Sequence, residues 1–216
     1  MKDAAAFLRA HTAVSRAPLV PEIALHLATE ITPIWQATEE WLEREGVAPP
    51  FWAFAWPGSV AVARLVLDRP ELVRGQRVLD FAAGCGLAAI AAARAGAASV
   101  DAAEVDPLAV AAIRLNAALN GAEVSALGED VVGQPCRWDR VIAGDVCYEA
   151  SMARRILPWL RGLAAAGAEV WLADPGRAYV PSEGLEPVAR LSVPVTRELE
   201  DREMRQVVVS RLLPAP

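Results

Sequence analysis

The sequence predicts an α/β fold with a largely parallel sheet at its centre, on three observations. From Arg77 onward, short apolar runs alternate with alanine-rich helical segments, the pattern of a parallel sheet with helices on both faces. The chain ends in two further β-rich runs. Hydrophobic residues make up 54% of the 216 positions and charged residues 22%, enough apolar material for a full core.

Residues up to about Leu67 read differently, as helices and a proline-aromatic connector. Ile23, Leu27, Ile31, Ile34, Trp35, Trp41 and Leu42 recur at steps of three, four and seven, which predicts an amphipathic helix kinked at Pro33. Prolines then bound the segment Pro49 to Gly58, and a short helix is expected over Ser59 to Leu67. The core begins with a strand at Arg77 to Phe81 and a helix from Gly86 to Ala95. A second strand, Ser99 to Val105, leads to a helix with Pro107 in its first turn, an apolar stripe of Leu108, Ala112, Leu115 and Leu119, and Asn120-Gly121 as its stop. Strands follow near Val124 to Leu127 and at Trp138 to Gly144. A helix over Ser151 to Leu163 then leads into a strand at Glu169 to Ala173. The tail holds β-rich runs near Leu191 to Thr196 and Arg205 to Leu213, and Pro194 suits an edge strand. The division expected is residues 1–67 as a helical cap with an aromatic connector and residues 68–216 as a cofactor-binding core, packed as one unit.

The formal net charge of −6 argues against a nucleic-acid partner, since an acidic surface repels phosphates. Cys85, Cys136 and Cys147 have no CxxC spacing, and with two histidines in the chain a zinc site is not expected. Reduced thiols fit a cytoplasmic protein. The N-terminus has no long apolar stretch, so neither a signal peptide nor a membrane span is expected.

The run Val78-Leu79-Asp80-Phe81-Ala82-Ala83-Gly84-Cys85-Gly86-Leu87 sits where the first core strand hands over to a helix. Its glycines allow close backbone approach, and the helix N-terminus offers free N–H groups to a carboxylate, such as that of S-adenosylmethionine. Gly84-Cys85-Gly86-Leu87-Ala88-Ala89 also fits the GxGxxA dinucleotide fingerprint, so an NAD-dependent dehydrogenase is the rival reading. Asp80 weighs against it: an acid at the strand's end would repel a pyrophosphate but suits the ammonium of the methionine moiety. Glu104, at the end of the second strand, is placed to accept both ribose hydroxyls. Asp106, before Pro107, reads as a helix cap. Asp130 is a candidate for the adenine amino group or a solvated loop acid. Trp56 is a candidate cofactor contact within an aromatic cluster that otherwise reads as core or lid.

The stretch Trp138 to Glu149 carries the second signal. Asp145 follows the strand ending at Gly144, at the sheet edge where open α/β folds place ligands. An ionised carboxylate only accepts, which suits an aliphatic amine or ammonium, and Tyr148 adds a ring wall and a hydroxyl. The plainer alternative is a loop-capping aspartate with a packing tyrosine. Asp174-Pro175-Gly176-Arg177 either shapes the substrate mouth or is a turn, and Glu198 to Glu203 reads as a solvated loop. His11 and His26 read as surface or packing residues, and Cys85 as a small side chain in a tight turn.

Together these residues resemble the seven-β-strand (class I) methyltransferases that use S-adenosylmethionine on a Rossmann-like sheet. More narrowly, Pro21 to Leu42, Pro50 to Arg64, Val78 to Asn120 and Val141 to Glu149, with Asp174 to Arg177, resemble the bacterial lysine methyltransferases of the electron transfer flavoprotein β-subunit. The resemblance implies a seven-stranded, mostly parallel sheet in the order 3-2-1-4-5-7-6 with an antiparallel C-terminal strand. It puts Asp80, Gly84, Gly86 and Glu104 around the cofactor, and Asp145 and Tyr148 beside the accepting amine. Ala82 stands where these enzymes usually carry the loop's first glycine, which would weaken cofactor binding. The activity implied is methylation of a lysine in the flavoprotein β-subunit. Alternatives are another protein or a nicotinamide-like amine as acceptor, or a cofactor-binding scaffold without activity.

Overall fold

The computed structural model describes residues 3–29, 32, 44, 46, 49–196 and 200–215. Helix α1 (Ala4–His11) opens on Asp3, whose carboxylate accepts the Ala6 N–H at 2.9 Å. Strands β1 (Ala13–Ala17) and β2 (Val20–Leu27) follow as an antiparallel hairpin.

This hairpin corrects the expected amphipathic helix at its first residues. Ile23 and Leu27 lie on β2, and Ile23, Leu25 and Leu27 are buried together. A spacing of four is shared by helix and strand periodicities, and the intervening Leu25 marks the period of two. The other residues of that expected helix, Ile31, Ile34, Trp35, Trp41 and Leu42, with Pro33, lie outside the described residues.

The 3-10 turn Phe51–Ala53 leads to α2 (Pro57–Asp68). Alternation then runs as expected: β3 (Arg77–Phe81), α3 (Leu87–Arg94), β4 (Ser99–Ala103), α4 (Pro107–Leu119), β5 (Ser125–Leu127), β6 (Arg140–Gly144), α5 (Ala150–Ala165) and β7 (Glu169–Asp174). The chain closes with β8 (Leu185–Pro194) and β9 (Met204–Leu212). Among the described residues the main sheet has seven strands in the order β5-β4-β3-β6-β7-β9-β8. Strands β3 to β7 are parallel, and β9 inserts antiparallel between β7 and β8. This is the order 3-2-1-4-5-7-6 of the methyltransferase resemblance. Pro194 lies on the edge strand β8, where a missing N–H costs no ladder bond.

Alternate residues of each parallel strand feed two cores. Val78, Ala102, Ile142 and Trp171 pack on the face covered by α2 and α3. Leu79, Val141, Val170 and Leu172 pack against Ile156, Leu160 and Leu163 of α5. The stripe of α4 holds in part: Leu108 and Ala112 are buried as expected, with Ile113, Asn116 and Ala117 beside them, while Leu119 is exposed. No helix among the described residues is long and apolar enough to cross a membrane.

Candidate active site

Strand register places the site. Phe81 pairs with Ala103 on one side and with Ala143 on the other, so three loops leave the carboxyl edge of the sheet side by side. The sheet order reverses at β3, the switch point where open α/β folds bind ligands. A cavity of about 760 Å³ opens there, walled by the loops after β3, β4 and β6 and by the Phe51 to Trp56 connector.

The glycine loop is tightly wound: Ala82 (φ 54°), Gly84 (φ 54°) and Gly86 (φ 80°) all take left-handed conformations. For Ala82, a cavity residue, that conformation costs about 1–2 kcal/mol relative to the right-handed helical region. A Cβ on Gly84 would find only Phe51 O, at 4.0 Å, so its backbone faces open cavity and a ligand can approach it closely. Gly86 differs from expectation. It starts α3 off the cavity wall, and its left-handed backbone, together with Ile113 lying 3.3 Å from where a Cβ would sit, favours glycine there. Asp80 differs too. It is buried, lies off the cavity wall, and its Oδ2 accepts the Ala89 N–H at 2.9 Å, bracing α3 from within. Burial pushes its carboxyl up to about 7.

Glu104 sits on the cavity wall. Its Oε1 accepts the Gly84 N–H at 2.9 Å and its Oε2 accepts the Val105 N–H at 3.1 Å, and burial raises its carboxyl above the usual range. Val105 beside it is 69% exposed and presents an apolar surface to the cavity, a feature the sequence reading passed over. Asp106 caps α4 through the Leu108 N–H at 2.8 Å. Asp130 reaches the wall, paired with Arg155 and accepting the Val132 N–H at 3.0 Å; the Arg155 hydrogen bond holds its carboxyl below the usual range.

The aromatic cluster divides. Trp52 is buried where it borders the cavity, while Phe51 and Tyr148 line it with exposed rings, alongside Phe54 and Trp56. The Trp56 indole N–H donates to Phe51 O at 2.8 Å, and the Phe51 and Tyr148 rings lie 5.7 Å apart.

Asp145 is buried on the cavity wall with φ 54°. Its Oδ2 accepts the Gly58 N–H at the otherwise uncapped N-terminus of α2, and its Oδ1 accepts Arg177 Nε at 3.0 Å and Nη2 at 2.7 Å. A Cβ on Gly58 would run into Ala173 O and Asp145 Oδ2, so the close approach of α2 requires glycine there. Burial raises the Asp145 carboxyl to about 6 against the lowering pull of Arg177. The acidic tail segment was expected to be a solvated loop, but Glu200 is 4% exposed and binds Arg177 and Arg205. Its partner Arg177 lies 23 residues away, so no local pattern signals the pairing. Residues 197–199 of the same run lie outside the described residues.

This arrangement favours placement and charge over covalent catalysis. Burial pushes the Cys85 and Cys147 thiols up to about 12, which rules out a ready thiolate. The cavity offers carboxylates on two sides, an apolar rim of rings and a backbone approach at Gly84, which suit a cationic, partly aromatic ligand.

Comparison with known proteins agrees. A family model described as ribosomal protein L11 methyltransferase (PrmA) matches residues 65–144. The electron transfer flavoprotein beta subunit lysine methyltransferase of Xenopus laevis is 40% identical over 195 residues, covering 87% of this chain and 78% of that protein. The protein of the same description from Homo sapiens is 37% identical over 177 residues, covering 80% of this chain and 66% of its own length. Among solved structures, the magnesium protoporphyrin IX methyltransferase of Synechocystis with bound SAM superposes with a TM-score of 0.54 at 16% identity, covering 71% of this chain and 79% of that one. The ribosomal protein L11 methylase of Lactobacillus delbrueckii gives 0.51 at 20% identity, covering 74% and 81%. These structural likenesses bear on the fold.

Proposed function

The chain belongs to the electron transfer flavoprotein β-subunit lysine methyltransferase family, and from that premise we propose that it methylates lysines of a flavoprotein β-subunit. Its cofactor is S-adenosylmethionine, which supplies a methyl group on a positively charged sulfur. The cavity fits that group: Gly84 leaves room for close approach, and the half-buried Glu104 carboxylate opens onto the same space. In this reading Glu104 receives the ribose hydroxyls, and Trp56 and Asp130 border the cofactor. Asp80 and Gly86 act at one remove, by bracing the start of α3.

The observation that carries the reading is that Glu104, Asp145 and Tyr148 open onto one cavity across the switch point. A lysine entering between Tyr148 and Asp145 meets an apolar wall and an acceptor. The attacking amine must be neutral, although free lysine has a pKa of about 10.4. The apolar mouth disfavours the ammonium, as does the sulfonium charge. Asp145 orients the amine and stabilises charge growing on nitrogen as the methyl transfers. The chain's own contribution to the acceleration would be placement, holding the amine against the bound cofactor. The proton then leaves to water.

The test mixes the enzyme and labelled S-adenosylmethionine with flavoprotein β-subunit from the same organism, beside a β-subunit whose exposed loop lysines are changed to arginine. Label on the unaltered subunit alone is expected. Equal label on both places the modified site elsewhere. No label on either, with strong label on another lysate protein or on nicotinamide, overturns the substrate.

A further inference from the structure

We propose that Arg177 is a positioning residue for methyl transfer, its guanidinium holding the Asp145 carboxylate toward the acceptor amine while Glu200 anchors it from behind. This rests on the reading of Asp145 as the partner of the accepting nitrogen.

The loop after β7 delivers Arg177. Asp174 Oδ1 accepts the Gly176 N–H at 2.7 Å and the Arg177 N–H at 2.6 Å, closing a turn that aims the side chain back at the sheet edge. The guanidinium then serves two carboxylates at once. Nε and Nη2 donate to Asp145 Oδ1, while Nη1 and Nη2 donate to Glu200 at 3.2 and 2.5 Å. Glu200 is fixed in turn by Arg205 Nε at 2.7 Å. A planar fork with several fixed donors can hold two carboxylates in set directions, which a single ammonium cannot. Arg177 Cζ lies over the Trp56 ring, 5.9 Å from its centroid, and both residues line the cavity.

Asp145 needs such a holder. Its backbone sits at φ 54°, where side-chain direction is not set by a regular element. Gly58 N–H fixes one oxygen and Arg177 the other. Asp174 and Cys147 also face Asp145; Asp174 is itself buried, and its Oδ2 has no hydrogen-bond partner among the described residues. Burial and the Asp174 charge both push Asp145 toward protonation, and Arg177 opposes them. A protonated Asp145 loses the charge that stabilises a developing ammonium.

The test uses full-length protein carrying Arg177→Met, Arg177→Lys or Glu200→Gln, with unfolding temperature and S-adenosylmethionine affinity as checks that fold and cofactor site persist. The Asp145 carboxyl is titrated by carbon NMR, which needs no methyl acceptor and so stands apart from the substrate assignment. In Arg177→Met its midpoint is expected to rise by about one unit or more. A rise from about 6 to about 7 leaves about half of Asp145 ionised at pH 7, so single-turnover transfer relative to wild type should drop about 2-fold or more there, with the deficit shrinking by pH 9. Arg177→Lys should fall between, and Glu200→Gln should shift the midpoint in the same direction by less. If Arg177→Met does not fold, the Glu200→Gln and Arg177→Lys shifts decide. An unmoved Asp145 midpoint overturns the proposal, as does a transfer deficit equal at pH 7 and pH 9.

Discussion

At the scale of single residues, two acids near the glycine loop, Asp80 buried and Glu104 half-buried, do different work, and their variants should separate. Glu104 opens onto the cavity and also ties down Gly84 and Val105. Glu104→Ala should weaken S-adenosylmethionine binding by about 1.5–3 kcal/mol, the worth of hydrogen bonds to a charged group, as read by calorimetry on the folded variant. Unchanged affinity would show that the ribose lies elsewhere. Asp80 instead affects stability. Its folded carboxyl titrates near 7, well above an unfolded aspartate at about 3.9. Between those values the folded state holds a proton that the unfolded state has released, so this group makes stability fall as pH rises toward 7 and leaves it flat above. Asp80→Asn keeps an acceptor for the Ala89 N–H without the buried charge. It should therefore be more stable than wild type at pH 8 by a few kcal/mol, with the gap closing toward pH 4. Denaturant melts at the two pH values give the answer, and a constant gap would mean that Asp80 is not the titrating group.

At the scale of elements, the N-terminal hairpin is tied to the cofactor loop by side-chain amides. Asn116 of α4 accepts the His26 N–H at 2.7 Å and donates to Cys85 O at 2.9 Å; Asn120 accepts from Ala24 N at 3.1 Å and donates to Ala24 O at 2.6 Å. The two amides act as a makeshift neighbouring strand for β2. Asn116→Ala would strand a buried carbonyl and an N–H, destabilising the protein by roughly 1–3 kcal/mol for each group left unpaired. Hydrogen exchange should quicken at Ala24 and His26 and in the glycine loop together. Faster exchange in the hairpin alone would show that the loop does not depend on it. The sequence could reveal α4 through Pro107, the apolar stripe and the Asn120-Gly121 stop, because those signals are local. It could not reveal the hairpin as readily, since Ile23 and Leu27 fit both periods and only Leu25 decides between them. The core strands are legible as short, continuous apolar runs because both of their faces are buried, and Glu104 and Asp145 stand out because each follows such a run. The reach of Arg177 to Asp145 and Glu200 was hidden, for it depends on tertiary placement across a sheet edge.

At the scale of the whole molecule, charge and fold together would favour a basic partner. The sheet gathers Glu104, Asp106, Glu129, Asp130 and Asp145 around one cavity, against Arg155 and Arg177. The chain as a whole carries −6. Such a mouth focuses an attractive field on a lysine-rich loop and raises the rate of encounter, by about 10-fold or more in steered associations. The attraction acts between exposed charges before contact, where salt screens it beyond about 8 Å at physiological ionic strength and beyond about 3 Å at 1 M. In the arrangement proposed above, the acceptor of a seated lysine is the buried Asp145, where screening would be weak. The two stages should therefore part company. Raising salt from about 0.05 to 0.5 M should lower kcat/KM for the intact β-subunit by roughly 10-fold, while single-turnover transfer in the preformed complex changes by less than about 2-fold. A short peptide with one lysine, lacking the flanking charges, should show a flatter salt response. Equal salt sensitivity in both measurements on the intact subunit would mean that salt acts on the chemical step. An unchanged kcat/KM would mean that docking rests on apolar contact with Phe51 and Tyr148, whose rings form the exposed rim of the same cavity.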